Sequence, residues 1–217
     1  MSRPVINTNA KRLFIARHGE TVFNAAARMQ GMDAHTPLTA AGCDQANMMG
    51  RALAPHIDGA APLKLVASPS GRTLQTLALI AEEIGRDWHS HETDARLAEI
   101  SVGSWEGRYY ADVIREHGEI VDSDAKLFTA FAPDGENYTD VAARLRAWIT
   151  AQDFAEDLLI ISHGMTARVL RGLLTGQPDF GDTCAPIASG LAQGSMVMIR
   201  DGDESIIIGG DGSGERA

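Results

Sequence analysis

Short apolar runs that end abruptly in charged or polar residues, separated by stretches of helical periodicity, constrain this chain more than any other feature. Leu13-Phe14-Ile15-Ala16, Leu65-Val66-Ala67 and Leu158-Leu159-Ile160-Ile161 are each too short for a helix. Uninterrupted apolar runs of this length suit strands buried on both faces, as in a parallel sheet. Between them, apolar residues recur at helical spacing. Ala46, Met49, Ala52 and Leu53 follow the N-cap candidate Thr39 and predict a helix to about Pro55. Leu74, Leu77, Ala78 and Ala81 predict another from near Arg72 to a stop at Gly85. Val141, Leu145, Trp148 and Ile149 form one face of a third, capped by Thr139 or Asp140, and Val169, Leu170 and Leu173 lie on a fourth that ends before Gly176. This alternation predicts an α/β fold: a three-layer sandwich whose mostly parallel central sheet is flanked by helices.

The remaining segments are less regular. Residues 88–96 alternate weakly and predict a further strand, while 109–117 read as a helix followed by a loose acidic stretch around Asp122 and Asp124. Met196-Val197-Met198-Ile199 and Ile206-Ile207-Ile208, joined across Asp201-Gly202-Asp203, predict a hairpin. Residues 1–10 are polar and aperiodic, the expectation for a flexible arm, and 210–217 read as a polar tail. A single domain is thus expected over 11–209, with 102–134 as an insertion over one rim of the sheet.

Composition excludes several classes of function. With 217 residues and 44% hydrophobic content the chain can build one well-packed core. Nineteen Lys and Arg against 29 Asp and Glu give a net charge of −10, which repels nucleic acid and anionic membranes alike. No apolar run approaches the ~18–20 residues of a membrane span. Lys11, Arg12, Arg17 and His18 interrupt the one candidate for a secretory core, so a soluble, cytoplasmic protein is expected. Cys43 and Cys184 are far apart and fit two buried, reduced thiols rather than a disulfide framework or a thiolate zinc site. For the oligomeric state, the general prevalence of homodimers is the sole guide.

Ligands of parallel sheets sit beyond the carboxyl ends of the strands. Three apolar runs here end in reactive groups: Arg17-His18, Ser68 through Arg72, and Ser162-His163. His18 and His163 both follow a buried strand and precede a glycine, and Gly19 and Gly164 would let a backbone approach a ligand closely. Two guanidiniums, Arg17 and Arg72, at the same edge would create a concentrated positive site in an acidic protein. Arginine matches phosphate oxygens in a bidentate manner, and a helix N-terminus adds amide donors. The alternative for both arginines is pairing with Glu20 or Glu82. Elsewhere, His89-x-His91 has metal-ligand spacing without an evident third ligand, so no metal site is expected. Asp122-x-Asp124 follows no buried strand and reads as a solvated loop, and Met48-Met49 fits a helix core.

Arg17-His18-Gly19-Glu20-Thr21 with Asn24 resembles the first box of the histidine phosphatase superfamily, also called phosphoglycerate mutase-like. Gln30-Gly31, Asp33, Pro37-Leu38-Thr39 and Gly42 continue that segment. Ser68-Pro69 with Arg72 and Gln75-Thr76 resembles the second box, and Leu97-x-Glu99 with Gly103 and Trp105-Glu106-Gly107 the third. Ile161-Ser162-His163-Gly164 resembles the fourth, so the likeness spans roughly residues 12–175 in order. It implies a phosphoglycerate mutase-like fold and a small phosphorylated substrate. His18 would be the nucleophile that becomes a phosphohistidine. Arg17, Arg72 and His163, the last as a cation or a donor, would hold the equatorial phosphoryl oxygens. Glu99 matches the position of the general acid and base, ahead of Glu92, Glu106 and Glu136. Asn24, Gln30, Gly31 and Gly164 are implied as further substrate contacts, and neither a metal nor a cofactor is required.

Three activities fit that resemblance: a phosphomonoester hydrolase, a cofactor-dependent phosphoglycerate mutase, and a non-catalytic protein that binds phosphorylated ligands. The mutase branch typically has tryptophan where Phe23 stands and a basic residue where Ile100 follows Glu99. A phosphoglycerate carboxylate also needs further cations, and residues 97–135 supply Arg108, Arg115 and Lys126 alone. Every matched catalytic position is filled, which disfavours a non-catalytic role. Hydrolysis is therefore the expected reaction, with Trp105, Tyr109, Tyr110, Phe128 and Phe131 as candidate pocket aromatics, of which half are expected in the core.

Overall fold

A computed structural model of the chain describes residues 5–59 and 61–211. Among the described residues six strands and six α-helices follow one another: β1 (Leu13–Arg17), α1 (Val22–Ala25), α2 (Ala40–Leu53), β2 (Leu63–Ala67), α3 (Gly71–Glu83), β3 (Glu92–Thr93), α4 (Tyr110–His117), α5 (Tyr138–Thr150), β4 (Asp157–Ser162), α6 (Gly164–Leu174), β5 (Met196–Arg200) and β6 (Asp203–Ile208). The strands form one sheet in the order β3-β2-β4-β1-β5-β6. β1, β2, β3 and β4 run parallel, whereas β5 is antiparallel to both β1 and β6. The predicted α/β sandwich is therefore the observed architecture.

Strand alternation divides the core between two layers. Leu13, Ile15, Val66, Leu158 and Ile160 face α5 and α6, while Phe14, Ala16, Leu65, Leu159 and Ile161 face α2 and α3. The register Leu13↔Leu158 and Ile15↔Ile160 stacks like with like across the two central strands. The hairpin closes through Asp201 (φ 51°) and Gly202 (φ 85°), the left-handed pair a two-residue turn of this hand requires. Thr39 caps α2 as predicted, its hydroxyl accepting from the Gly42 amide at 3.0 Å.

Several expectations need correction. The predicted strand over 88–96 shrinks to Glu92 and Thr93, which pair with Val66 and Ala67. Asp87 and Asp94 accept hydrogen bonds from the amides of His89 and Arg96, and these side chains pull the flanking residues into single turns. His91 stacks on Trp88 with ring centroids 4.1 Å apart, so the histidine pair does not lie on a strand. α5 is capped two to three residues earlier than expected, by Asn137, whose side chain accepts from Thr139 and Asp140 while Asp140 accepts in return. Cys43 is half-buried and Cys184 exposed, so the two thiols are free but not core residues. Met49 is buried, yet Met48, one residue round the helix, is 40% exposed.

Both ends of the chain are outside the described residues, at 1–4 and 212–217. Of the expected arm, Thr8 is buried and the Asn9 side chain donates to the Asp153 carbonyl at 3.2 Å. Of the expected tail, the Gly210 amide donates to Ser195 Oγ at 2.8 Å, and Asp211 accepts from the Gln45 side chain at 3.0 Å. Among the described residues no helix is long and apolar enough to cross a membrane.

Candidate active site

Because β2, β4 and β1 are adjacent and parallel, Ser68, His163 and His18 leave the sheet at one edge. His18 is buried, and its Nδ1 lies 2.7 Å from the carbonyl oxygen of Gly19. A carbonyl accepts only, so Nδ1 carries the proton and the lone pair is on Nε2. Burial, then the charges of Arg72 and Arg17, hold the His18 pKa well below its ordinary value and keep the ring neutral. The His163 ring lies edge-on to it, with centroids 5.3 Å apart and planes at 67°.

His163 is also neutral, for the same reason: burial first, then the nearby Arg72 charge, lowers its pKa strongly. Its Nδ1 accepts from Arg72 Nε at 3.2 Å, which places the proton on Nε2, 2.8 Å from Ser68 Oγ. Of the two forms expected for this residue, the structure therefore has the neutral donor and not the cation.

Arg72, in the first turn of α3, is almost fully buried and spends its donors on neutral groups. Nη1 donates to the Asp33 carbonyl (2.6 Å) and Thr36 Oγ1 (3.0 Å), and Nη2 to the Gly31 carbonyl (2.8 Å). Arg17 donates from Nη1 to the Leu191 carbonyl at 2.6 Å, while its buried Nε has no partner. Among the described residues neither arginine forms an ion pair, and Glu20, the suggested partner, instead accepts from Thr39 Oγ1 at 2.8 Å. Burial lowers both guanidinium pKa values, that of Arg72 to about 10, which leaves both charged.

Glu99 is anchored at the N-terminus of α6. One carboxylate oxygen accepts from the amides of Ile100 (2.9 Å) and Thr166 (3.0 Å) and from Thr166 Oγ1 (3.2 Å); the other accepts from the Met165 amide at 3.1 Å. Arg144 on α5 supports the arrangement by donating to the Glu99 carbonyl (3.3 Å) while gripping Glu136 (2.9 Å). The rival carboxylates are elsewhere engaged: Glu136 with Arg144, Glu106 with the Met32 amide (2.9 Å), and Glu92 with Lys64 (3.0 Å).

These groups open on a pocket of about 400 Å³ that Arg17, His18, Arg72, Glu99 and Gly164 line. Asn24 and Gln30 line it too, each with its amide oxygen held by Thr21, at 3.1 Å from the amide and 2.8 Å from the hydroxyl respectively. Gly31 borders the pocket, but a Cβ there would meet Glu106 at 2.7 Å, and its φ of +50° and its carbonyl serve to seat Arg72. Gly164 leaves room for Arg17 and Glu99, 3.3 and 3.4 Å from where a Cβ would lie. Gly19, by contrast, faces the backbone of Gly42, so its small size serves chain crossing and not ligand approach.

The 102–134 segment contributes Val102, Tyr110, Ala125, Lys126 and Phe128 to the wall. Trp105 is core, while Tyr109 is half-exposed over Arg28, whose guanidinium is 5.1 Å from its ring. Asp124, expected in a solvated loop, also reaches the pocket. Sequence reasoning placed Ser68 at this edge but gave it no role, and it missed two groups altogether. Arg168 stands within a helix whose every residue after Gly164 is buried, and Arg28 gave no signal. The cation argument also changes. Arg108 and Arg115 pair with Glu116 and Asp112, whereas Arg28 and Arg168, from outside 97–135, join Lys126 in lining the pocket.

Residues 13–189 match the family model of the histidine phosphatase superfamily (branch 1). The chain belongs to this superfamily. The curated protein "Probable phosphoglycerate mutase GpmB" of Yersinia pestis (strain Pestoides F) is 32% identical over 177 residues, which span 77% of this chain and 76% of the relative. Among solved structures, a mycobacterial glucosyl-3-phosphoglycerate phosphatase superposes with a TM-score of 0.67 at 26% identity, covering 87% of this chain and 89% of its own. The alpha-ribazole phosphatase from Shigella flexneri shares the fold, with a TM-score of 0.68 at 24% identity over 90% and 94% of the two chains. Histidine phosphatase superfamily membership thus comes with both mutase and phosphatase relatives.

Proposed function

We propose that the protein is a phosphomonoester hydrolase that works through a phosphohistidine on His18, with no metal. The observation that carries this reading is the locked tautomer of His18. A neutral imidazole with Nδ1 tied to the Gly19 carbonyl offers a lone pair on Nε2 beside two guanidiniums that have no carboxylate partner among the described residues. In the first step Nε2 attacks phosphorus, the P–O bond to the alcohol breaks, and Glu99 protonates the departing oxygen. In the second, Glu99 accepts a proton from water as that water attacks phosphorus, and the Nε2–P bond breaks to release phosphate. Arg17 and Arg72 stabilise charge on the equatorial oxygens, the task that a cation would otherwise perform, while His163, whose Nε2–H is donated to Ser68, positions Arg72 by accepting from its Nε. Asn24 and Gln30 offer their –NH2 groups to the same anion. The likeness to solved phosphatases such as the mycobacterial glucosyl-3-phosphoglycerate phosphatase supports hydrolysis.

The name of the Yersinia relative and the pocket cations Arg28, Lys126 and Arg168 favour a second reading, phosphoglycerate mutase. EDTA-treated protein assayed against a panel of phosphomonoesters, with 3-phosphoglycerate in the presence and absence of 2,3-bisphosphoglycerate, separates the two. Hydrolysis predicts free phosphate from at least one ester and an acid-labile, alkali-stable phosphoenzyme that His18→Ala abolishes. Interconversion of 3- and 2-phosphoglycerate without phosphate release would make the protein a mutase, and turnover retained by His18→Ala would remove His18 as nucleophile.

A further inference from the structure

The tautomer of His18 depends on one carbonyl, and what holds that carbonyl lies outside the pocket. The Gly19 oxygen that accepts from His18 Nδ1 at 2.7 Å belongs to the peptide joining Gly19 to Glu20. The other end of the same peptide is also engaged, since the Glu20 amide donates to Gln45 Oε1 at 2.8 Å. Gln45 is on α2, is 5% exposed and takes no part in lining the pocket. Its Nε2 donates in turn to Asp211 Oδ1 at 3.0 Å.

A single orientation of the Gln45 amide satisfies both neighbours. A backbone N–H only donates and a carboxylate only accepts, so the amide oxygen must face Glu20 and –NH2 must face Asp211. The reversed amide would set donor against donor and oxygen against carboxylate. These groups then form a line in which every bond polarises the next in one direction. Asp211 draws on the Gln45 –NH2, the Gln45 oxygen becomes a stronger acceptor for the Glu20 amide, and the Gly19 carbonyl becomes a stronger acceptor for Nδ1–H. That carbonyl opposes the loss of basicity that burial, Arg72 and Arg17 impose on the His18 ring. Gln45 is also confined: a Cβ on Gly194, whose φ is +76°, would lie 2.8 Å from Gln45 Cβ. The next residue, Ser195, accepts at Oγ from the Gly210 amide at 2.8 Å, which fixes the backbone that carries Asp211.

We propose that Gln45, oriented by Asp211, is a positioning residue for the nucleophile: it holds the Gly19–Glu20 peptide with its carbonyl on His18 Nδ1 and so keeps the lone pair on Nε2. This deepens the hydrolase reading and rests on His18 as the nucleophile, although Gln45 touches neither substrate nor the reacting atoms. Without Gln45 the Glu20 N–H loses its acceptor, and the peptide is free to turn its carbonyl away from the ring. A mere link between α2 and the 210–211 backbone would affect stability and leave the ring as it is.

Nitrogen-15 chemical shifts of the His18 ring in the full chain, together with first-turnover kinetics, test the claim. The unaltered protein should show the Nδ1–H form near neutral pH, and Gln45→Leu should populate the Nε2–H form. Rapid-quench phosphorylation by p-nitrophenyl phosphate, whose leaving group needs no acid, should slow about tenfold or more in Gln45→Leu, while inorganic phosphate binds to within about threefold as tightly. An exchange of charge gives the second arm. Gln45→Glu sets two carboxylates against each other and should also shift the ring and slow the first turnover. Adding Asp211→Asn to it restores an acceptor for the Glu20 amide and a donor for residue 45, and should return the tautomer and bring the rate to within about threefold of the unaltered protein's. If Gln45→Leu does not fold, this exchange decides. An unchanged tautomer, an unchanged first turnover, or no recovery in the exchanged pair would each overturn the proposal and leave Gln45 as a link between α2 and the 210–211 backbone. A tautomer shift caused by Gln45→Leu in a protein whose unaltered form is never phosphorylated on His18 would overturn the nucleophile reading alone, because the ring shifts need no turnover.

Discussion

Replacing Glu99 by glutamine changes one carboxylate oxygen to –NH2 and removes the group assigned to proton transfer. The structural cost follows from its four hydrogen bonds. An amide oxygen can keep the three donors now on one side, Ile100 N, Thr166 N and Thr166 Oγ1, but then –NH2 faces the Met165 amide, donor against donor. One buried N–H left unpaired costs about 1–3 kcal/mol, a fall of about 2–4 °C in Tm for each kcal/mol in a chain of this size. The catalytic cost depends on the leaving group. Loss of a positioned acid should slow phosphorylation of His18 by an alkyl phosphate about 10²–10⁴-fold. p-Nitrophenolate leaves without a proton, so its phosphorylation step should slow by less than about tenfold. Rapid-quench measurement of the first turnover isolates this step from water attack, which the variant should slow for both esters. The reasoning would be refuted by equal losses in the first step for alkyl and p-nitrophenyl phosphate, which would leave Glu99 as a structural acceptor at the helix N-terminus.

Stability should be unusually sensitive to mild acid. His18 and His163 titrate near 6.5 when unfolded but well below that when folded, so between those limits the unfolded chain binds protons that the folded chain does not. Each should remove about 1.4 kcal/mol per pH unit as pH falls below 6.5, and denaturant melts of His18→Gln should show a slope reduced by about that amount; an unchanged slope would place the His18 pKa near its ordinary value. The same depression predicts that any loss of kcat/KM through protonation of His18 sets in well below pH 6.5, whereas a limb at 6.5 that His18 causes would contradict the buried neutral ring. Gly19→Ala would set a methyl group against the Gly42 backbone and should destabilise by about 1–3 kcal/mol, read as a lower Tm. A neutral result would mean that β1 and α2 separate at no cost there.

Particular residues show why the sequence was legible where it was. The runs before Arg17, Ser68 and Ser162 had only to be buried strands, and burial on both faces leaves a local pattern that no partner needs to supply. His18, His163, Arg17 and Arg72 could then be referred to one edge, because parallel strands end together. The segment over 88–96 misled because Asp87 and Asp94 bond to nearby amides and outcompete strand pairing along most of it. Arg168 and Arg28 were invisible as pocket residues: one is buried in α6 and the other precedes Met29, and neither address says which wall it reaches.

The amino-acid sequence by itself determined the α/β class, the helix at Thr39, the hairpin turn at Asp201-Gly202 and the identity of the groups at the strand ends, since these depend on side-chain period and on φ preferences a few residues long. Tertiary structure alone decided the strand order that puts β4 between β2 and β1, the tautomers of the two histidines and the seat of Glu99 on α6. It also decided that Gly19 answers to Gly42 and that Arg168 faces the pocket. Each of those depends on a neighbour distant in the chain, and a hydrogen bond or a buried charge has no defined energy until that neighbour is in place.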